Sequence, residues 1–298
     1  MTERKSHLDT IAVFSLLLCC VLWGLNQVAA KVTLAEIPPL LQASARSLGA
    51  TLLVALWAGA RGIPLFDRDG TLAGGLLAGT FFAAEFACVF SGLQFTAASR
   101  MVVFIYLAPF VVALGMPFIA RAERLSWLQL AGLVGAFGGV AWAFAEGFNA
   151  PAGAERQWIG DGLGVAAAAL WGATTLVIRA TPLSAARAEK TLLYQLAVSG
   201  VLLGFGSALA GEPWPAKLTS ASLLPLAFQT VIVSFASYLL WFWLIRHYPA
   251  TRLASFTLLT PIAGLLAGVL LLNEPITLRL MIALAAVAGG IAIVNRRS

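Results

Sequence analysis

Charge is what this sequence has least of. Asp, Glu, Lys and Arg together make up 11% of its 298 residues, and 60% are hydrophobic. A soluble domain is about one quarter charged. This much apolar surface cannot be hidden in one soluble core of this size. A large α/β enzyme with buried strands is excluded by run length: the apolar runs extend over about 20 residues, enough to span a bilayer, and lack strand-like alternation. Histidine and cysteine are also sparse. His7 and His247 fall in loops and leave no metal-ligand cluster. Cys19, Cys20 and Cys88 sit inside apolar runs, which reads as buried, unreactive thiols with no disulfide framework. There is no GxxxxGK(S/T) loop, no HExxH and no intramembrane Ser/His or Asp pair. Neither ATP-driven work nor hydrolysis is therefore encoded, and no cofactor or enzyme activity is expected.

What is present repeats. Residues 100–139 and 252–290 follow one plan: an apolar helix with a proline, a short acidic turn, and an apolar helix ending in paired glycines. Phe104, Leu107, Pro109 and Leu114 recur 152 residues on as Phe256, Leu259, Pro261 and Leu266. After a one-residue gap, Glu123, Leu133, Gly138, Gly139 and Ala141 recur 151 residues on as Glu274, Leu284, Gly289, Gly290 and Ala292. Leu22-Trp23-Gly24 recurs 148 residues on as Leu170-Trp171-Gly172. Such repetition sets the architecture before local detail does.

Helices are expected near 11–30, 38–60, 72–93, 97–120 and 127–145, then near 161–178, 189–210, 221–245, 251–272 and 278–294. The polar stretch 146–160 is the junction between a first repeat, 1–148, and a second, 149–298. The basic start before the first apolar run is not a signal peptide, because the run is too long and has a counterpart later. Five crossings per repeat is an odd number, so the second repeat enters from the opposite face and the halves are inverted. The expected fold is an all-α membrane protein of ten transmembrane helices in two inverted five-helix repeats.

The net charge of +6 would suggest nucleic acid in a soluble protein, but the basic residues sit at helix ends. With the N-terminus inside, thirteen of the nineteen Lys and Arg face inward, five face outward and Arg46 lies within a helix. That bias puts both termini in the cytoplasm. Trp57, Trp127, Trp142, Trp158, Trp214 and Trp243 fall near helix ends, as an interfacial belt requires. Glycines four apart, such as Gly160/Gly164 and Gly264/Gly268, allow helices to approach closely.

Ionisable groups in lipid need partners or a cavity. Glu85 and Arg46 are the two expected inside helices, each ~12 Å in from the outer boundary at ~1.5 Å per residue. They are expected to interact directly or through water, and Glu85 is the candidate for proton coupling. Pro109 and Pro261, expected mid-helix, are candidate hinges. Trp23, Asn26, Gln27, Gln94, Tyr106, Trp171, Thr174, Thr175, Gln229, Ser237, Tyr238 and Trp241 form a polar and aromatic set at middle depth, suited to a small amphipathic solute. Glu123 and Glu274 are expected to cap the helices that follow them.

These residues resemble a known family. Tyr248-Pro249-Ala250-Thr251-Arg252, Leu259-Thr260-Pro261, Asn273-Glu274-Pro275-Ile276-Thr277 and Gly289-Gly290 resemble the EamA repeat of the drug/metabolite transporter superfamily. So do residues 95–100, Pro109, Glu123-Arg124-Leu125, Gly138-Gly139 and the two Leu-Trp-Gly openings. Within it the chain is most similar to the YddG-type exporters of aromatic and other amino acids. The resemblance implies a ten-helix basket around a central cavity, alternating access, and residence in the cytoplasmic (inner) membrane. A phosphate-bearing substrate would want several buried basic residues, and a cationic drug a central acid. The expected function is export of amino acids, aromatic and other neutral ones, with Trp23 and Trp171 flanking the substrate. Another small solute, such as a cationic drug or nucleotide sugar, is the alternative. The expected partners are the solute, the bilayer and protons, with no nucleic acid.

Overall fold

The structure, a computed structural model, describes residues 9–119, 126–146, 155–248, 257 and 259–294, with no strand among them. The first half holds α1 (Thr10–Thr33), α2 (Pro39–Ala60), α3 (Leu72–Gly92), α4 (Ala98–Ile105), α5 (Ala108–Ile119) and α6 (Trp127–Glu146). The second holds α7 (Gln157–Ala180), α8 (Ala188–Leu209), α9 (Ser220–Ala227), a π-helix (Phe228–Ser237), α10 (Tyr238–His247), α11 (Leu259–Leu272) and α12 (Leu278–Val294). Among the described residues, seven helical stretches are long and apolar enough to cross a membrane, and α6, α11 and α12 add shorter apolar segments. Phe14, Leu209 and Phe118 are 68%, 89% and 90% exposed, which hydrocarbon accepts and water would not. All six tryptophans of the expected belt are exposed or partly so.

Two helices differ from expectation. The stretch 97–120 is broken at Tyr106 and Leu107, so Pro109 is the second residue of α5, directly after the break. A proline there cannot donate to the preceding turn, which accords with an interruption at that point. Pro261 lies in α11, and residues 251–256 and 258 before it are outside the described residues. The stretch 221–245 is helical throughout but passes through ten residues of π-helix, a register found mostly as single-turn bulges at functional sites. Gln94 lies in the exposed turn after α3, not at middle depth. The 147–154 part of the junction, Glu123 and the stretch from Arg252 to Phe256 lie outside the described residues.

The extensive packing pairs join the two halves: α1 with α11, α2 with α8, α3 with α7, α5 with α7, and α6 with α12. Close approach explains the glycines. A Cβ on Gly24 would stand 2.5 Å from the Gly264 nitrogen, and one on Gly160 would stand 2.7 Å from the Gly92 oxygen. Polar ties then fix one rim. Glu212 accepts from the Leu40 and Leu41 amides at the start of α2. Glu36 accepts from Thr219 and Ser222 at the start of α9. Glu274 accepts from the Ala98 and Ser99 amides at 2.7 and 2.9 Å. It therefore caps α4 in the other half, not its own next helix, because helix pairing brings a foreign N-terminus nearer. These ties bring the ends of α1, α3, α8 and α11 to the rim where α2, α4, α7 and α9 begin. Asp69 with Lys190 at 2.8 Å, and Tyr248 with Asp9 at 2.9 Å, join the opposite rim.

Among the described residues, one ion pair is buried on both sides. Arg100 in α4 and Asp161 in α7 meet at 2.6 Å, and Thr96 donates to the same carboxylate. Asp161 was expected at a helix start. It lies inside α7 because that helix begins four residues earlier, so the pair could not be read from expected boundaries. Removing one partner strands a buried charge. Asp161→Ala is expected to cost about 3–5 kcal/mol, and Arg100→Leu/Asp161→Leu to recover most of it; melting temperatures in detergent test both. The exposed ties add a pH dependence. Hydrogen bonds from Ser222 and Thr219 draw the Glu36 pKa from its usual 4.5 to about 2. Lys190 and Thr71 draw Asp69 from 3.8 to about 2. Both pKa values are depressed on folding, so the stabilisation is full above about pH 4.5 and lost as pH falls toward 2. Melting curves of Glu36→Gln and Asp69→Asn are expected to be flatter across that window than those of the parent.

Candidate functional site

α1 sets one wall. Trp23, Asn26 and Gln27 are spaced by three and four and so share a helix face. Trp23 Nε1 donates to Ser237 Oγ at 2.9 Å, and Ser237 donates to the Val233 carbonyl at 2.6 Å, which orients the indole against the π-helix. The ring meets Tyr238 edge-on at 6.4 Å and Trp241 at 5.4 Å. Tyr106, in the turn between α4 and α5, meets Trp171 of α7 edge-on at 5.7 Å. The Tyr106 hydroxyl lies within electrostatic range of Thr260, Cys20 and Tyr238. The fold thus gathers Trp23, Tyr106, Trp171, Ser237, Tyr238 and Trp241 from five elements. Thr174 and Thr175 donate to the Leu170 and Trp171 carbonyls of their own helix, so local bonds already satisfy them. Gln229 bonds to Gln42 and Thr33 and ties helices together.

Arg46 and Glu85 adjoin this cluster, 0% and 4% exposed. The guanidinium carbon of Arg46 lies 3.9 Å from the Phe86 ring centroid and 5.5 Å from that of Phe90. Those rings belong to a ladder on α3, Phe82, Phe86 and Phe90, with i,i+4 spacing. The Tyr238 hydroxyl lies close enough to interact loosely with the Arg46 guanidinium and Glu85 acts on it through space, but no protein group meets its Nε, Nη1 or Nη2 with good hydrogen-bond geometry. The expected proximity of Arg46 and Glu85 is observed, and direct contact is not. Desolvating such a cation costs several kcal/mol, and a buried cation–π contact returns about 2. Phe86 cannot be its whole reason for being there. Glu85 Oε2 beside it is also unmet, and Asn26 Oδ1, Gln27 Oε1, Ser47 Oγ, Ser234 Oγ and Thr260 Oγ1 are buried without a protein partner in good hydrogen-bond geometry on α1, α2, the π-helix and α11. A cleft of about 440 Å³ at the rim, bounded by Lys31, Ala97, Leu272 and residues 273–275, is separate from this cluster.

The EamA-like transporter family model matches the chain twice, over residues 10–145 and 158–296. The chain belongs to the EamA-like transporter family. It is a multi-pass membrane transporter and not an enzyme, with a small molecule as substrate. Among relatives, it is 27% identical to "Uncharacterized transporter YvbV" of Bacillus subtilis over 93% of this chain and 89% of that one. It is 26% identical to the "Probable amino-acid metabolite efflux pump" of Escherichia coli, covering 88% of this chain and 87% of that one. A Salmonella typhimurium protein of the same name is 27% identical over 89% of this chain and 88% of that one. A solved crystal structure matches with a TM-score of 0.65 at 20% identity, over 94% of this chain and 96% of that one, which establishes the fold alone.

Sequence reasoning about this EamA protein missed Thr260, Phe86 and Phe90 as members of the cluster. Thr260 carries a signal in the Leu-Thr-Pro repeat motif; the phenylalanines carry none, since apolar helices are full of such rings. The π-helix has Pro225 in the preceding turn as its only local mark. A buried cation without partners is a stability cost, so Arg46→Met is expected to hold or raise the melting temperature in detergent. A drop of several degrees would show that Arg46 serves the fold.

Proposed function

We propose that the chain exports small neutral amino acids, aromatic ones included, across the cytoplasmic membrane by alternating access. The observation that carries this reading is the cluster of four large aromatic rings, Trp23, Tyr106, Trp171 and Tyr238, with Tyr238 beside the buried Arg46 and Glu85, whose Oε2 no protein group meets. Aromatic walls bind an apolar side chain, and the polar atoms bind the groups at its α-carbon. The two relatives named for amino-acid metabolite efflux support the same substrate class. Asn26, Gln27, Glu85, Thr174, Thr175, Ser237 and Trp241 complete the proposed lining.

The ten-helix, inverted-repeat arrangement of 1–148 and 149–298 belongs to this proposal. Its support is direction: α1 and α3 run toward one rim while their counterparts α7 and the stretch from α9 to α10 run away from it, and α2 and α8 are likewise opposed. Both termini are proposed to be cytoplasmic, on the positive-inside count. The α4/α5 break ahead of Pro109, Pro261 in α11 and the π-helix are proposed as the points about which the access routes change. In the present state the rings touch edge to edge, so a substrate enters by parting them. Glu85 is proposed to meet the substrate ammonium and to pass a proton in exchange.

Proteoliposomes preloaded with labelled tryptophan, phenylalanine, threonine or methionine test the reading. Flux of at least one is expected, Trp23→Ala is expected to reduce it about tenfold or more, and Glu85→Gln to flatten its pH dependence. Absence of flux with all four would sink the amino-acid reading and turn attention to another small solute.

A further inference from the structure

We infer that Arg46 reads the substrate's carboxylate, so that the transported class is set by a free carboxyl group and not by the aromatic side chain alone. This rests on the amino-acid reading above. Three observations carry it. Arg46 is 0% exposed, so lipid headgroups and bulk ions cannot be its partners. Its Nε, Nη1 and Nη2 lack a partner in good hydrogen-bond geometry; the Tyr238 hydroxyl lies close enough to interact with the guanidinium loosely, which leaves most of a planar fork of donors unused. Phe86 and Phe90 of α3 hold the guanidinium carbon 3.9 and 5.5 Å from their ring centroids without consuming a donor. A guanidinium held against rings with its N–H groups still available is a receptor for one planar, two-oxygen anion, because a carboxylate accepts two parallel N–H bonds from it.

The contrast with Arg100 sharpens the assignment. Both arginines are buried in helices and both lie near a phenylalanine ring. Arg100 donates Nε and Nη2 to Asp161, at 3.1 and 2.6 Å, and also donates to the Ala143 carbonyl. The same chain therefore supplies a carboxylate where an arginine is structural. Among the described residues, the carboxyl group that acts on Arg46 is that of Glu85, and its Oε2 is also unmet. An arginine and a glutamate held apart with bonding atoms unused can receive a zwitterion: the carboxylate at Arg46, the ammonium at Glu85, and the side chain toward Tyr238 and Trp23.

The test is competition against labelled tryptophan counterflow in proteoliposomes of the full chain, using tryptophan, indole-3-propionate and tryptophan amide. Indole-3-propionate keeps the carboxylate and lacks the ammonium; the amide does the reverse. In the parent, tryptophan and indole-3-propionate are expected to compete, and the amide to be at least about tenfold weaker, the factor one charged hydrogen-bond pair readily supplies. Arg46→Gln is expected to abolish that discrimination, and Arg46→Lys, a point charge without the fork, to restore part of it. Equal competition by the amide in the parent overturns the inference even if Arg46→Gln does not fold. So does a folded Arg46→Gln that still discriminates, or an Arg46→Gln/Glu85→Gln double variant that transports tryptophan like the parent. In each of those cases parental tryptophan flux leaves the amino-acid reading standing. No parental flux with any amino acid removes that reading, and this inference with it.

Discussion

Hydrocarbon offers no hydrogen bonds, and most of this molecule follows from that one constraint. Helices satisfy their backbones internally, so the described spans are helical but for the break at Tyr106 and Leu107. Polar side chains must then find protein partners or cluster where something else can meet them. Helix ends use the first route: Glu36, Glu212 and Glu274 each reach an N-terminus in the opposite half of the chain. Asp161 and Arg100 do the same below the rim, as a pair. The cluster around Arg46 uses the second.

Many polar groups between the helices are satisfied within the protein. Gln42 and Gln229 bond to one another between α2 and the π-helix. Thr174 and Thr175 fold back onto their own helix. Arg46 and Glu85 keep unused bonding atoms and adjoin Phe86 and Tyr238, and Asn26 and Gln27 keep unused atoms on the Trp23 face of α1. A protein that needed only stability would replace such groups with apolar ones of similar volume at little cost. Keeping them makes physical sense if a polar solute completes their bonding for part of each cycle.

The joints lie at the same level as the site. Tyr106 sits in the break between α4 and α5, Thr260 precedes Pro261 at the start of α11, and Ser237 closes the π-helix. Tyr106 and Ser237 therefore belong to backbone that departs from α-helical regularity. On the proposed function, coupling between occupancy and helix movement needs no long pathway, because proposed lining residues also border the proposed joints.

Much of this was legible in the sequence. Run length, scarcity of charge and the repeat at Leu-Trp-Gly and at the prolines pointed to membrane helices in two copies, because a lipid environment writes its constraint along the chain in every span. Trp23, Tyr106, Trp171 and Tyr238 stood out as polar-tipped rings at middle depth, and Arg46 and Glu85 as charges where charge is costly. Tertiary structure alone decided the rest. It separated two buried arginines of identical local character, pairing Arg100 with Asp161 and leaving Arg46 unpaired over Phe86. It aimed Glu274 at a foreign helix, and it interrupted the span before Pro109 at Tyr106 and Leu107. Hydrogen-bond partners such as Arg100 and Asp161 or Glu274 and Ala98 are far apart in sequence, and a periodic apolar pattern carries depth along each helix but not the direction in which a side chain finds its partner.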